Sequence, residues 1–436
     1  MRTSRYTLLT MYVLILCGFQ LSAAAKGGYT IVLTLSESPS SAASTNKSNP
    51  LGKVSLALQT TNSVVVIDSL PTLKKGIYRF SGKRSLAPGQ YTFIQNGRRL
   101  FNFLISSEQQ VKLKFAATIE NGRTTQIAVE GDSENKAYME FQRFIQDANR
   151  NPNLTEEDVL NIDRYTDSIA LRFPNTLLAI IANNISKPPL PQYMALHDGR
   201  VLNTSILPIR ITSFFTNIVP PQPECVIPQI DSIFLLATNT AVKEWCGEFL
   251  LSTFLSSSIM GMENAAVHVA KKYLNGEITG ADDELLAEIE SYVSFNECSL
   301  LGMTAPELLL PNVEGQPISL TSIKATYTIL LFYDEDCPVC QEQIPEINQT
   351  FKQYSTKGVS VYAVYTQDLF DAWRTYSTNL NPEWIHVWDP DFSSGFHKLY
   401  NVTGTPKIYL LDQNKTIIGR GIDARVLQQI LSYYLD

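Results

Sequence analysis

Histidine and cysteine are scarce in this chain, with four His and six Cys in 436 residues. A structural zinc site takes four such ligands at short spacing. Only one Cys-x-x-Cys is present, Cys337 to Cys340, and the two downstream histidines, His386 and His397, stand alone. That disfavours a finger-type zinc site, and no metal is expected. Long apolar runs are also missing. The stretch from Leu8 to Phe19 is short for a membrane span, and no other run approaches the roughly 20 residues a span needs. Basic clusters are lacking as well: 35 Lys and Arg face 42 Asp and Glu, for a net charge of −7. Without a basic patch or aromatic-basic stripe, nucleic acid is not an expected partner. The length suits two or three domains.

What is present is concentrated near residue 337. The apolar run Tyr327–Tyr333 reads as a buried strand, Cys337-Pro338-Val339-Cys340 follows, and an amphipathic segment comes next, with Ile344, Ile347, Phe351 and Tyr354 on one stripe. Strand, Cys-x-x-Cys, then helix is the layout of a dithiol redox site. Residues three apart on a first helical turn share a face, so two sulfurs there can close a ring. The first lies near unpaired helix N–H groups that favour its thiolate, and the thiolate is the nucleophile of disulfide exchange. Pro345 falls inside this helix, where it removes a hydrogen bond and favours a kink. Farther on, Val402-Thr-Gly-Thr-Pro406 precedes the strand Lys407–Leu411, and a proline opening a strand after a short loop is a candidate for a cis bond.

These landmarks, in order, give residues 302–436 a resemblance to the thioredoxin fold. The similarity is to its TlpA-like branch in the alkyl hydroperoxide reductase/thiol-specific antioxidant superfamily. Gly302-Met-Thr-Ala-Pro306 with Gly315-Gln-Pro-Ile-Ser-Leu320 resembles that family's entry segment. Cys337-Pro-Val-Cys340 takes the place of its redox motif, Pro345 of its helix-kink proline, and Thr405-Pro406 of its cis-proline pair. The resemblance implies that Cys337 attacks and Cys340 resolves. It implies that Pro406 lies against the disulfide and that Thr405 backbone groups bind the partner chain. It also implies protein thiols or disulfides as partners, and no cofactor beyond the Cys337–Cys340 disulfide.

Three positions depart from the family pattern. Leu331 stands where thioredoxins carry a buried Asp, Gln343 where many TlpA-like proteins carry a Glu, and Asp336 where an aromatic residue often precedes the first Cys. The usual proton acceptor is therefore absent or displaced. Asp336, in the acidic triplet Asp334–Asp336, and Pro338 are expected to tune the site. Acidic repulsion opposes the helix dipole, which favours a reductant or isomerase. Cys-Pro-x-Cys occurs in oxidants too, so the direction of electron flow stays open. A peroxidase needs Thr three residues before its reactive Cys, and Asp334 occupies that place.

Residues 1–25 read as a secretory signal: Arg2 and Arg5, then an apolar stretch, then Ser22-Ala-Ala-Ala25. Leu16 before Cys17 disfavours lipid attachment there. The expected location is the bacterial periplasm or cell envelope, where a reductant needs a membrane electron donor. Cys225, Cys246 and Cys298 are an odd remainder and are expected to be small buried apolar residues.

Upstream, residues 26–132 alternate apolar and polar side chains in short runs separated by turn dipeptides such as Asn96-Gly97, which predicts a β-sandwich or barrel. Ser36–Asn49 is expected to be a loop. Residues 133–300 show helical periodicity, with Thr155-Glu-Glu-Asp158 as one helix start. The expected architecture is an all-β sandwich-like domain (26–132), an all-α domain (133–300) and an α/β thioredoxin-like fold (301–436). This order is similar to a group of exported Bacteroidota proteins whose first two modules have no known function. A binding or assembly role for those modules, with the dithiol accessory, is the alternative reading.

Overall fold

The computed structural model describes residues 28–38, 52–71, 76–108, 110–120, 123–274 and 283–436. The signal-like segment 1–25, Cys17 and most of the Ser36–Asn49 stretch lie outside the described residues. Two compact units divide the chain: Met1–Pro220 with Asp231–Cys246, and Pro221–Ile230 with Gly247–Asp436.

Strands β1 (Tyr29–Glu37), β2 (Val54–Gln59), β3 (Val64–Leu70), β4 (Ile77–Gly82), β5 (Gly89–Gln95), β6 (Arg98–Ile105), β7 (Val111–Glu120) and β8 (Arg123–Glu130) make two four-stranded sheets. Their orders are β4-β1-β7-β8 and β3-β2-β5-β6, and only the β1–β7 pairing is parallel. The period-2 pattern places Phe80, Tyr91, Phe93, Phe103 and Phe115 in one core, with ring centroids 5.0 Å apart for Phe93–Phe103 and 4.9 Å for Phe103–Phe115. The sandwich-like expectation holds. At Asn96-Gly97 both residues take positive φ (48° and 80°), the geometry a two-residue hairpin between β5 and β6 requires.

Helices take over after Glu130. They are α1 (Ser133–Asn149), α2 (Glu156–Arg172), α3 (Leu177–Ser186), α4 (Ile206–Asn217), α5 (Pro223–Leu236), α6 (Thr240–Leu255), α7 (Met262–Val269) and α8 (Asp283–Asn296). Thr155 and Asp158 form a reciprocal capping box on α2. Buried Asn135 on α1 accepts from Leu104 N at 2.7 Å and donates to Leu104 O at 2.8 Å. It thereby satisfies the open edge of β6.

The second unit is built on a five-stranded sheet, β13-β12-β11-β14-β15. Two short strands, β9 (Leu309–Pro311) and β10 (Pro317–Ser319), precede it. Then follow β11 (Tyr327–Tyr333), α9 (Pro338–Tyr354), β12 (Val359–Tyr365), α10 (Phe370–Thr378), β13 (Ile385–Trp388), α11 (Phe396–Leu399), β14 (Lys407–Leu411), β15 (Ile417–Arg420) and α12 (Ala424–Leu435). Strands β11, β12 and β13 are parallel, and β14 and β15 run antiparallel to their neighbours. Central β11 is buried on both faces, hence its unbroken apolar run. Ile329, Leu331 and Tyr333 face a core with α9 and α12, while Leu330 and Phe332 face a second core with Leu308, Phe396 and Tyr400. This is the expected α/β thioredoxin-like fold.

Arg420 ties the helices of this unit to the end of its sheet. Its side chain is 2% exposed and reaches Glu263 Oε1 at 2.9 Å, Asn296 Oδ1 at 2.6 Å and Ser299 O at 2.8 Å. Breaking a buried ion pair by removing one partner strands the groups left behind. Arg420→Met is therefore expected to destabilise the second unit by about 3 kcal/mol. Urea unfolding followed by tryptophan emission measures this, since Trp373, Trp384 and Trp388 all lie in that unit. An unchanged midpoint would show that the cluster contributes nothing net.

Candidate functional site

Parallel strands end together, so the loops after β11, β12 and β13 collect at one edge of the sheet. Tyr333, Tyr365 and Trp388 mark that edge in register. Because β14 is antiparallel, its first residue, Lys407, pairs with Phe332, and the preceding Thr405-Pro406 arrives at the same edge. The topology thus brings Cys337 and Thr405, 68 residues apart in sequence, to within 3.1 Å (Cys337 Sγ to Thr405 O). The Thr405–Pro406 peptide bond is cis.

Cys337 is the N-cap of α9, and Pro338 occupies the first helical turn, where its missing N–H is not needed. The Cys340 N–H donates to Cys337 Sγ at 3.2 Å, a place usually taken by a Ser or Asp oxygen. Cys337 is half-buried, while Cys340, one turn on, is fully buried. Both are free thiols here. Their acidities diverge. Burial pushes the Cys337 thiol up, but hydrogen bonding from Cys340 and from the Val339 and Cys340 amides outweighs this and holds it below the ordinary thiol value. Burial, with the Cys337 sulfur beside it, pushes Cys340 up to about 12.

The acidic triplet is resolved into distinct roles. Asp334 accepts from the Asp336 amide at 2.9 Å and from Gln367 Nε2 at 2.7 Å. Glu335 accepts from the Tyr365 hydroxyl at 2.6 Å, and its second oxygen is buried without a partner. Asp336 is exposed beside Cys337. Two of the three carboxylates therefore serve the loop, and Asp336 is the one whose charge faces solvent.

The departures noted in sequence also gain explanations. Leu331 packs in the core beneath α9, opposite Ile408. Gln343 Oε1 accepts from Ala424 N at 3.1 Å, so it caps the start of α12. Pro345 lies inside α9. His386 and His397 are not brought to the dithiol: His386 Nε2 is 3.0 Å from Asn381 O, and His397 stacks on Phe396. Among the described residues no group of three or more His, Cys, Asp or Glu is placed to hold a metal ion. Of the other cysteines, Cys246 is buried and Cys225 and Cys298 are half-buried.

Sequence reasoning passed over two residues here. One is Tyr365, whose hydroxyl donates to Glu335; a tyrosine ending a buried strand beside an acidic loop was the available signal. The other is Lys407. Burial, with Arg420 nearby, pushes its amine down to about 8 against the opposing pull of Glu263. No sequence pattern marked it.

Comparison with known proteins covers this same region. Residues 301–420 match the AhpC/TSA family. The thiol-disulfide oxidoreductase ResA of Bacillus anthracis is 21% identical over 150 residues, covering 33% of this chain and 82% of that protein. ResA of Bacillus cereus is 23% identical over 144 residues, with the same coverage. Among solved structures, a thioredoxin-like protein from Bacteroides caccae is 17% identical with a TM-score of 0.46, covering 58% of this chain and 93% of that one. A domain of a possible thiol-disulfide isomerase from Cytophaga hutchinsonii is 32% identical with a TM-score of 0.29, covering 32% and 95%. Residues 301–420 are thus an AhpC/TSA-family domain of thioredoxin-like fold, homologous to the ResA thiol-disulfide oxidoreductases.

Proposed function

We propose that this is an exported thiol-disulfide oxidoreductase that exchanges the Cys337–Cys340 dithiol with protein disulfides, as a reductant or isomerase. The observation that carries the reading is the asymmetry of the two sulfurs: an accessible, acidified thiol at a helix N-cap beside the cis Thr405–Pro406 bond, and a buried thiol one turn behind it.

The steps follow from that asymmetry. Cys337 thiolate attacks one sulfur of a partner disulfide; a Cys337–partner bond forms, the partner S–S bond breaks, and the departing thiolate takes a proton from water. Thr405 and Pro406 hold the partner chain alongside. Cys340 then gives up its proton and attacks Cys337 Sγ. The Cys337–Cys340 bond forms, the mixed disulfide breaks, and the second partner thiolate leaves. The partner gains two electrons and the dithiol loses two. A dithiol donor in the membrane restores it. Export rests on the signal-like residues 1–25; among the described residues no helix is long and apolar enough to cross a membrane.

Asp336 and its neighbours also bear on which partners react. The segments after β11, β12 and β13 and before β14, residues 334–339, 366–371, 389–396 and 400–406, contain seven Asp or Glu (Asp334, Glu335, Asp336, Asp368, Asp371, Asp389 and Asp391) and no Lys or Arg; the basic residues Lys407 and Arg420 that adjoin them are half-buried and buried. Asp336, Asp368, Asp371 and Asp391 are exposed. Such a rim favours cationic segments around the target cysteine.

Cys340→Ser should accumulate mixed disulfides with partner proteins, seen as thiol-sensitive bands on non-reducing gels, and Cys337→Ser should not. A reductant should also equilibrate with thiol buffers near the thioredoxin value of about −270 mV, whereas a value near about −120 mV would make the protein an oxidant. Absence of any reversible pair would sink the reading.

Alkylation of Cys337, followed at that peptide by mass spectrometry, should speed up with pH through an inflection below the free-thiol value. Asp336→Asn should move it lower still, because a nearby negative charge disfavours the thiolate. An inflection at or above the free-thiol value would contradict the site geometry.

With rates normalised to those of dithiothreitol, the reduced protein should react roughly tenfold faster with cystamine than with 3,3′-dithiodipropionate at low salt. The preference should shrink as the Debye length falls toward about 3 Å at ~1 M salt. Equal rates would remove the charge preference while leaving the redox reading intact.

A further inference from the structure

The first unit holds a cleft of ≈ 760 Å³ in its own wall, between the β6–β8 end of the sandwich and helices α1, α3 and α4. That volume is within the range of small-molecule sites. Phe101, Ile145 and Ile206 are among the apolar residues lining it. The charged residues of the lining are two arginines, Arg99 and Arg210, with no Asp or Glu among them.

Arg210 is the unusual member. Its guanidinium is half-buried against apolar neighbours, and burial alone pushes its pKa down. Nη2 donates to the Pro188 carbonyl, but buried Nε has no acceptor. A guanidinium half withdrawn from water with one inaccessible N–H and no anion beside it gains from an anionic partner. Two more polar groups are unsatisfied in the same lining, Thr124 Oγ1 and Asn184 Oδ1. Asn184, 5% exposed, donates from Nδ2 to Ile180 O at 2.9 Å, and its Oδ1 is buried without a partner.

We infer that this cleft binds an amphiphilic carboxylate: an apolar chain lying along Phe101, Ile145 and Ile206, with its acid group on the Arg210 guanidinium. The lining gives the two halves of that ligand separate complements. The apolar part is driven in by surface burial, and the carboxylate supplies the acceptor that Arg210 lacks. This site is independent of the dithiol.

The test is a displacement titration on the purified protein with 11-(dansylamino)undecanoate as fluorescent probe. Saturable binding is expected, with decanoate displacing the probe at a concentration at least about tenfold below decanol, the difference set by a charge-assisted hydrogen bond. Arg210→Met should abolish the preference for decanoate. Ile209→Trp, at a position 63% exposed on the rim, should weaken probe binding with little risk to folding. Non-saturable probe fluorescence, equal displacement by decanol, or a decanoate preference that survives Arg210→Met would each overturn the inference.

Discussion

Everything the dithiol does depends on where the first turn of α9 begins. An N-cap residue has its side chain close to amide hydrogens that no helical carbonyl can reach. Placing a sulfur there gives those hydrogens an acceptor and gives the sulfur a reason to be anionic. Cys340, inside the same turn, has the opposite surroundings: it is buried in a core with Ile344 and Leu331. One helical turn therefore separates a thiol that ionises readily from one that resists ionisation. That difference sets the order in the proposed exchange: the ionised sulfur reacts first and the buried one only after a mixed disulfide stands beside it.

The sheet supplies what the helix start cannot. In the proposed exchange the nucleophile needs a surface that orients the incoming chain, and Thr405 and Pro406, brought beside Cys337 from far along the sequence, are the residues proposed for it. Antiparallel β14 is what makes this possible: inserted beside β11, it begins where β11 ends. The same edge collects the acidic loops. Asp334 and Glu335 are committed to Gln367 and Tyr365, which holds the loop after β11 against the loop after β12. A change at Tyr365 would thus reach the dithiol through loop position rather than through direct contact with sulfur.

The redox domain was largely legible from sequence because its signals are local. An apolar run buried on both faces, two cysteines at helical spacing and a proline opening a strand each report a short-range constraint. The hairpin at Asn96-Gly97 and the cap at Thr155 were legible for the same reason. What escaped was long-range satisfaction of polar groups. Asn135 bonds to Leu104 across 31 positions, Gln343 to Ala424 across 81, and Arg420 to Asn296 across 124. In sequence Gln343 read only as a missing acid. In the fold it is a cap for another helix, so its identity is set by α12 rather than by the dithiol. Lys407 escaped likewise, since its perturbation comes from burial and a neighbour that only the folded sheet supplies.

The same distinction explains why the upstream residues carry no motif. Exchange chemistry needs a few atoms at fixed spacing, and a short stretch of chain can fix them. Recognition of an apolar anion needs only shape, apolar area and an unpaired charge, which many sequences can supply from scattered positions. Arg210, Asn184 and Phe101 come from α4, α3 and β6, and no spacing rule links them. Their kinship appears only when the polar groups are paired off and three in one cleft, Thr124, Asn184 and Arg210, are left over. Where most buried polar side chains find partners, unpaired donors such as Arg210 Nε are where a missing anionic ligand leaves its trace.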